Sequence, residues 1–182
     1  MRSYRRLTAT SGLNNKEETM PFHIRRSDRA IKDPNVLIEI IKRNRIASLA
    51  LCRNNEPYVV TLTYGYNEIE NAFYFHCGNE GLKLDIIRSN PNVCLTVIEV
   101  NGIESKTCNH PYRSIVARGK IEIIRKKEET DKAIKQMIDQ LEEKEIENAY
   151  SRLNENNKFY NELTILKVKV EELTGKEKIK KA

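Results

Sequence analysis

The sequence predicts a mainly β protein: six antiparallel strands closed into a small barrel, with peripheral helices. Three observations carry this reading. Apolar residues alternate with polar ones in six separate stretches, the period of a half-buried strand. The links between the first three stretches are short and rich in turn residues, as an antiparallel meander requires. Helical periodicity is confined to a few short segments between strands.

The elements follow in order. Residues 1–32 have no sustained period and read as a basic, mostly extended arm. "DPNVLIEIIKRN" then opens a helix: Asp33 is a natural N-cap, Pro34 suits the first helical position, and Leu37, Ile40 and Ile41 share one face. "IASLALCR" is the first strand; "NNEP" is a turn cluster, and "YVVTLTYGYN" returns as the second. After "EIEN", "AFYFH" is the third strand, and "LKLDIIRSN" is a short helix stopped by Pro91. "VCLTVIEV" is the fourth strand, Val100 to Pro111 a polar loop, and "YRSIVARGKIEII" a long fifth strand. "KKEETDKAIKQMIDQL" carries Ala133, Ile134, Met137, Ile138 and Leu141 on one stripe, and helical pattern continues weakly through Tyr150. "LTILKVKVEEL" closes the fold with Leu166, Val168 and Val170 inward and Lys167, Lys169 and Glu171 outward. The folded domain is therefore expected over 33–175, with a basic tail at 176–182.

A chain of 182 residues suits one domain with a sizeable core, and 39% hydrophobic against 32% charged residues suits a soluble globular protein. No apolar run of about 18 residues occurs, which argues against a membrane span. "MRSYRRLTATSGLNN" lacks the apolar segment of a secretory signal and has only a weak transit-peptide likeness, so a cytoplasmic location is expected. Met20 offers an alternative start. The formal charge of +6 is concentrated at the ends: residues 1–29 hold seven Lys/Arg against three acids, and the last nine hold four lysines against one glutamate. The domain between is near neutral, which argues against a nucleic-acid-binding face. Cys52, Cys77, Cys94 and Cys108 have no disulfide or CxxC spacing, and a reducing compartment is the natural reading.

The segment "HCGNEGLK" carries the chemistry. Gly78 and Gly81 allow positive backbone angles that turn N–H groups toward an anion, and Lys83 adds a charge near a helix start. The spacing is not that of a Walker loop, and a plain strand–helix turn with a solvated lysine fits as well. His76 and Cys77, adjacent on a strand, point to opposite faces and do not share a metal; Cys108 and His110 form no zinc knuckle, and no metal is expected. A Cys–His catalytic pair lacks an orienting third residue. Arg113 and Ser114 open the fifth strand, where a guanidinium and a hydroxyl either complete the anion site or are ordinary exposed residues.

Taken together, "IASLALCRNNEPYVVTLTYGY", "FYFHCGNEGLKLDIIRSNPNVCLTV" and "YRSIVARGKIEII" resemble the FMN-binding split-barrel superfamily of pyridoxamine 5'-phosphate oxidase, and within it the nitroimidazole-resistance (Nim-like) branch. The likeness covers about Ile24 to Gly175. It implies a six-stranded split barrel that dimerises, with FMN at the subunit interface. It also implies that Lys83 pairs with the FMN phosphate and that Arg113 and Ser114 close over the phosphate and ribityl groups. Tyr58, Val59, Val60, Thr61, Leu62 and Thr63 would lie along the isoalloxazine edge. His76 would stand at the ring or substrate side, tentatively as a catalytic group, while Cys77, Gly78, Asn79, Glu80 and Gly81 turn around the phosphate. The oxidases themselves carry an arginine where this chain has Tyr58 and an Arg-Lys pair where it has Leu82-Lys83, and their C-terminal substrate residues have no counterpart here. Pyridoxamine phosphate is thus not the implied substrate. The implied function is FMN-dependent reduction of a small molecule. A flavin-binding sensor without turnover and a haem-binding split barrel are the alternatives, the latter limited to His23, His76 and His110 as axial ligands.

Overall fold

β1 (Ile46–Arg53), β2 (Glu56–Asn67), β3 (Ala72–Gly78), β4 (Asn92–Val100), β5 (Tyr112–Ile124) and β6 (Leu163–Lys178) close into an antiparallel barrel. Its strand order is β1-β2-β3-β6-β5-β4. The structure is a computed structural model and describes residues 24–100, 110–141 and 162–178. The interior is filled by alternate residues: Leu49 and Leu51, Tyr64 and Tyr66, Phe73 and Phe75, Leu95 and Val97, Ile115 and Ala117, Leu166 and Val168 are all buried. Tyr64 meets the edge of Phe73 with centroids 5.1 Å apart, a favoured aromatic geometry.

Helices close both barrel ends. α1 (Pro34–Arg43) is capped by Asp33, whose carboxylate accepts from the Asn35 N–H at 2.9 Å. Its buried face is Leu37, Ile40 and Ile41, the stripe expected from the sequence. The Tyr64 hydroxyl donates to the Ile41 carbonyl at 2.7 Å, pinning the helix across the end where β1 starts. α2 (Leu82–Ser89) closes the opposite end with Leu84, Ile86 and Ile87, and Asn90 behind it donates to the Cys52 carbonyl at the end of β1. α3 (Lys127–Leu141) lies on the outer wall, with Ala133, Ile134 and Met137 against Ala72, Tyr74, Ile124 and Ile165. The close seat of α3 depends on Gly65, where a Cβ would stand 2.7 Å from the Met137 Cα. Glu70, in the β2–β3 turn, ties this wall together by accepting from Tyr74, Lys132 and Lys167.

The strand boundaries differ from the sequence expectation in four places, in β4 only by the addition of Asn92, which pairs with Lys120. β2 begins at Glu56, because Arg53 pairs with it across the Asn54–Asn55 turn, both of whose residues have positive φ. β3 runs past His76 to Gly78, held by Thr164 and Leu163 of β6. β6 runs past Leu173 to Lys178, because Tyr112 to Val116 at the start of β5 find their partners there. Residues 27–31 of the supposed arm are also tied down: a 3₁₀ turn at Ser27–Arg29 leads to a bridge between Ala30 and Lys176, and the Ile31 N–H donates to the Gly175 carbonyl. The expected helix extension to Tyr150 and most of the loop after Val100, including Cys108, lie outside the described residues. No described helix is long and apolar enough to cross a membrane.

Candidate functional site

The barrel is split between β2 and β3. These strands pair only from Tyr64–Phe75 to Asn67–Ala72. Toward its start, β2 stays with β1, while the end of β3 stays with β6 through His76–Ile165, Cys77–Thr164 and Gly78–Leu163. The Tyr64 N–H donates to the Arg45 carbonyl on the β1 side at 3.1 Å. In an antiparallel ladder the backbone groups of alternate residues face the same neighbour. Those of Leu62, Val60 and Tyr58 therefore also serve β1, and those of Val59, Thr61 and Thr63 face away from it, along the split. The side chains of Tyr58, Val60 and Leu62 pack on the core, while Val59, Thr61 and Thr63 point outward.

A groove of about 740 Å³ runs from this split to the start of α2, lined by Leu62, His76 to Glu80, Lys83, Glu162 and Leu163. Its size is within the roughly 300–1,000 Å³ of small-molecule sites. Gly81 is the N-cap of α2, with φ 123°, a conformation that L side chains rarely adopt. A Cβ would meet nothing within 4 Å there, so backbone angle and not space calls for glycine. Gly78 does not share that conformation. It is the extended last residue of β3, so the expected two-glycine cradle reduces to Gly81. The first N–H groups of α2 to find a partner in the turn are those of Leu84 and Asp85, both on the Gly81 carbonyl. Those of Leu82 and Lys83 precede the ladder, as at any helix start, and suit an anion.

Burial first, and the Lys83 charge second, set the protonation states in the groove. Burial lowers the His76 pKa below its ordinary 6.5, and the Lys83 charge lowers it further, so the imidazole is largely neutral at pH 7. Burial raises the Cys77 thiol, against the charge and hydrogen bond of Lys83, and keeps it protonated. The two side chains do take opposite faces: Cys77 packs on the barrel core, and His76 continues the outward row of Ala72 and Tyr74. Asn79 is fixed by the Thr164 hydroxyl, which donates to it at 2.8 Å.

The structure thus brings His76, Cys77, Gly78, Asn79, Glu80 and Lys83 together with Leu62 of β2 at the groove. Gly81 caps the helix that carries Lys83, while Tyr58, Val59, Val60, Thr61 and Thr63 belong to the part of β2 that does not pair with β3 and are not among the residues lining the groove. It does not bring Arg113 and Ser114 to them. Ser114 pairs with Lys176 and His76 with Ile165, eleven residues apart on β6, or about 35 Å of strand. Arg113 is moreover engaged by Glu177, to which its Nε donates at 3.1 Å. Sequence reasoning missed Glu162 and Leu163, which line the groove because β6 pairs with β3. A strand signal was present at Leu163, but nothing local announces that non-adjacent pairing. The described cysteines, Cys52, Cys77 and Cys94, are free thiols.

A family model described as pyridoxamine 5'-phosphate oxidase matches residues 33–177. Uncharacterised protein RA0666 of Rhizobium meliloti (strain 1021) is 32% identical over 81 residues, a match spanning 44% of this chain and 48% of that protein. Among solved structures, a candidate 5-nitroimidazole antibiotic resistance protein of Bacteroides thetaiotaomicron superposes with a TM-score of 0.69 and 24% identity, over 81% of this chain and 86% of that one. The flavocytochrome Anf3 of Azotobacter vinelandii gives 0.71 and 19%, over 87% and 73%. An FAD-binding protein of Mesorhizobium loti gives 0.61 and 21%, over 83% and 98%.

Proposed function

The chain belongs to the pyridoxamine 5'-phosphate oxidase family, and from that premise we propose that it is an FMN-binding flavoprotein that reduces a small molecule. The observation that carries the proposal is the split itself. An unpaired β2 edge runs along a groove with one lysine and a glycine-capped helix start at its end. That donor set fits FMN. Lys83 and the N–H groups opening α2 suit a phosphate dianion, and the edge N–H groups of Val59, Thr61 and Thr63 suit the carbonyl side of a flat heterocycle. Glu80 and Glu162 at the groove disfavour a second phosphate, which favours the mononucleotide over FAD.

A bound flavin would supply the electron transfer, and the residues of this chain would do the positioning. Lys83 fixes the phosphate. The β2 edge holds the ring in register, and Leu62 and Leu163 keep water from one side of it. His76, neutral near pH 7, can accept or donate a hydrogen bond at the substrate side.

The chain would act as a homodimer. Ile46 of β1 and Ile98 and Val100 of β4, with Val59 four residues further along the β1–β2 ladder, are each more than half exposed on the outer wall, an apolar surface that a second copy would cover. Because Ser114 and Lys83 lie at opposite barrel ends, both can reach one flavin only from different subunits in antiparallel arrangement.

The absorbance spectrum of the purified protein tests the cofactor, and the mass of the released nucleotide separates FMN from FAD. A Soret band would replace this reading with haem on His76. Oxidation of a reduced nicotinamide with a nitroaromatic or quinone acceptor tests the activity. A flavin-loaded protein inactive with every donor and acceptor would be a binding module.

A further inference from the structure

The turn that leads from β3 into α2 stands clear of the barrel. Gly78, Asn79, Glu80, Gly81 and Leu82 are all exposed, and a Cβ on either glycine would meet nothing within 4 Å. Packing around the glycines therefore does not set its shape, and a segment with two glycines loses much conformational entropy when a ligand orders it. We propose that Thr164, which is outside the donor set described above, is the positioning residue of this turn. Its hydroxyl holds the turn in the form that receives a phosphate, and so favours phosphorylated over unphosphorylated flavin. This inference rests on the FMN reading of the groove.

The strand pattern singles this residue out. Thr164, Leu166, Val168 and Val170 alternate along β6, and the last three are buried in the barrel core. Thr164 is the polar member of that inward row, at the end nearest α2. Its cross-strand partner is Cys77, the last inward residue of β3 after Phe73 and Phe75. From there the Thr164 hydroxyl donates to the Asn79 Oδ1 at 2.8 Å, although 85 residues separate the two in sequence. A valine would match the shape of threonine and suit the apolar row, so the contact is the work of the hydroxyl alone. The β-branched side chain is stiff at χ1 and presents its donor with little freedom to lose. Cys77, directly opposite, holds the far side of the same turn: its thiol accepts a hydrogen bond from Lys83, in the first turn of α2. The Cys77–Thr164 pair is thus a floor from which one side chain fixes the start of the turn and the other fixes its lysine.

The donors that suit a phosphate, the N–H groups of Leu82 and Lys83 and the lysine itself, follow Asn79 closely in the chain. A tether at Asn79 acts on them and leaves the β2 edge, assigned above to the ring, untouched. Its removal therefore weakens phosphate recognition selectively, because the turn must then be ordered at the expense of binding.

Thr164→Val and Thr164→Ser, titrated with FMN and with riboflavin by flavin fluorescence, test the assignment. Inorganic phosphate, followed by the amide shifts of Gly81, Leu82 and Lys83, provides a measurement that needs no flavin. Thr164→Val should weaken FMN about three- to tenfold, as expected for one lost neutral hydrogen bond. Its riboflavin affinity and thermal midpoint should match wild type, its phosphate affinity should fall in parallel with that for FMN, and Thr164→Ser should restore both. Unaltered FMN affinity in a flavin-binding Thr164→Val protein would overturn the role of Thr164 and leave the flavin reading intact. Equal loss of FMN and riboflavin would also overturn it, since the hydroxyl would then shape the whole groove. A wild-type protein that binds neither flavin would refute the FMN reading. Phosphate titration then decides the tether alone: a weaker response in Thr164→Val upholds it, and an equal response overturns it.

Discussion

Replacing Lys83 by methionine removes the only Lys or Arg that lines the groove among the described residues while keeping most of its apolar stem. The remaining lining works against a phosphate: Glu80 and Glu162 are acids, and His76 is held largely neutral. The N–H groups opening α2 would persist in the variant and retain part of the binding. The loss is then one charge-assisted contact, about 1.5–3 kcal/mol, which weakens FMN roughly ten- to 150-fold. Riboflavin, which lacks the phosphate, should bind wild type and variant alike. Titration of flavin fluorescence against apo-protein measures both ligands in one format. Equal weakening of FMN and riboflavin would mean that Lys83 shapes the groove and does not pair with the phosphate. Unchanged FMN affinity with a lowered thermal midpoint would make the lysine merely structural.

The same variant should raise the His76 pKa, because the lysine charge is one cause of its depression. Burial, the larger cause, should keep it below the ordinary value, and imidazole proton shifts against pH would follow this. His76→Ala should leave FMN bound but slow flavin reoxidation by an acceptor by about 10²-fold or more, as read by stopped flow on photoreduced protein. Glu70, held at about 2 by hydrogen bonds from Lys132, Lys167 and Tyr74, contributes stability that is full above its ordinary 4.5 and lost as pH falls toward 2. Glu70→Gln should flatten that acid limb in denaturant titrations run between those values. Gly119→Ala, whose Cβ would stand 1.9 Å from the Lys169 carbonyl oxygen at the β5–β6 bulge, should cost about 3 kcal/mol or more in urea unfolding, since neither backbone can yield.

Much of this architecture is legible locally. Asp33-Pro34 announces α1, and strict alternation delimits β1 and β5 to the residue. The lysine turn is legible too, because a glycine with positive φ and a helix start leave a compact signature. What resists reading is set by distant pairing. Local pattern gives β3 only to His76, since Cys77 and Gly78 extend it by bonding a strand some ninety residues later. The same pairing delivers Leu163 to the groove. Arg113 and Ser114 look like neighbours of Lys83 when motifs are placed side by side, and only the register along β6 shows that a whole barrel separates them.

The unequal ladders have a dynamic consequence. β5 and β6 share thirteen paired positions and β4 and β5 nine, whereas the β1–β2 hairpin joins the rest by three pairs with β4 and four with β3. Cooperative opening follows the weakest seams. The hairpin is therefore the unit that detaches first in native-state hydrogen exchange, its amides trading with solvent while those of β5 and β6 stay protected. One of those seams ends at the mouth of the groove. The motion that costs this barrel least is the one that widens its ligand site, and a molecule bound there would act as a clasp.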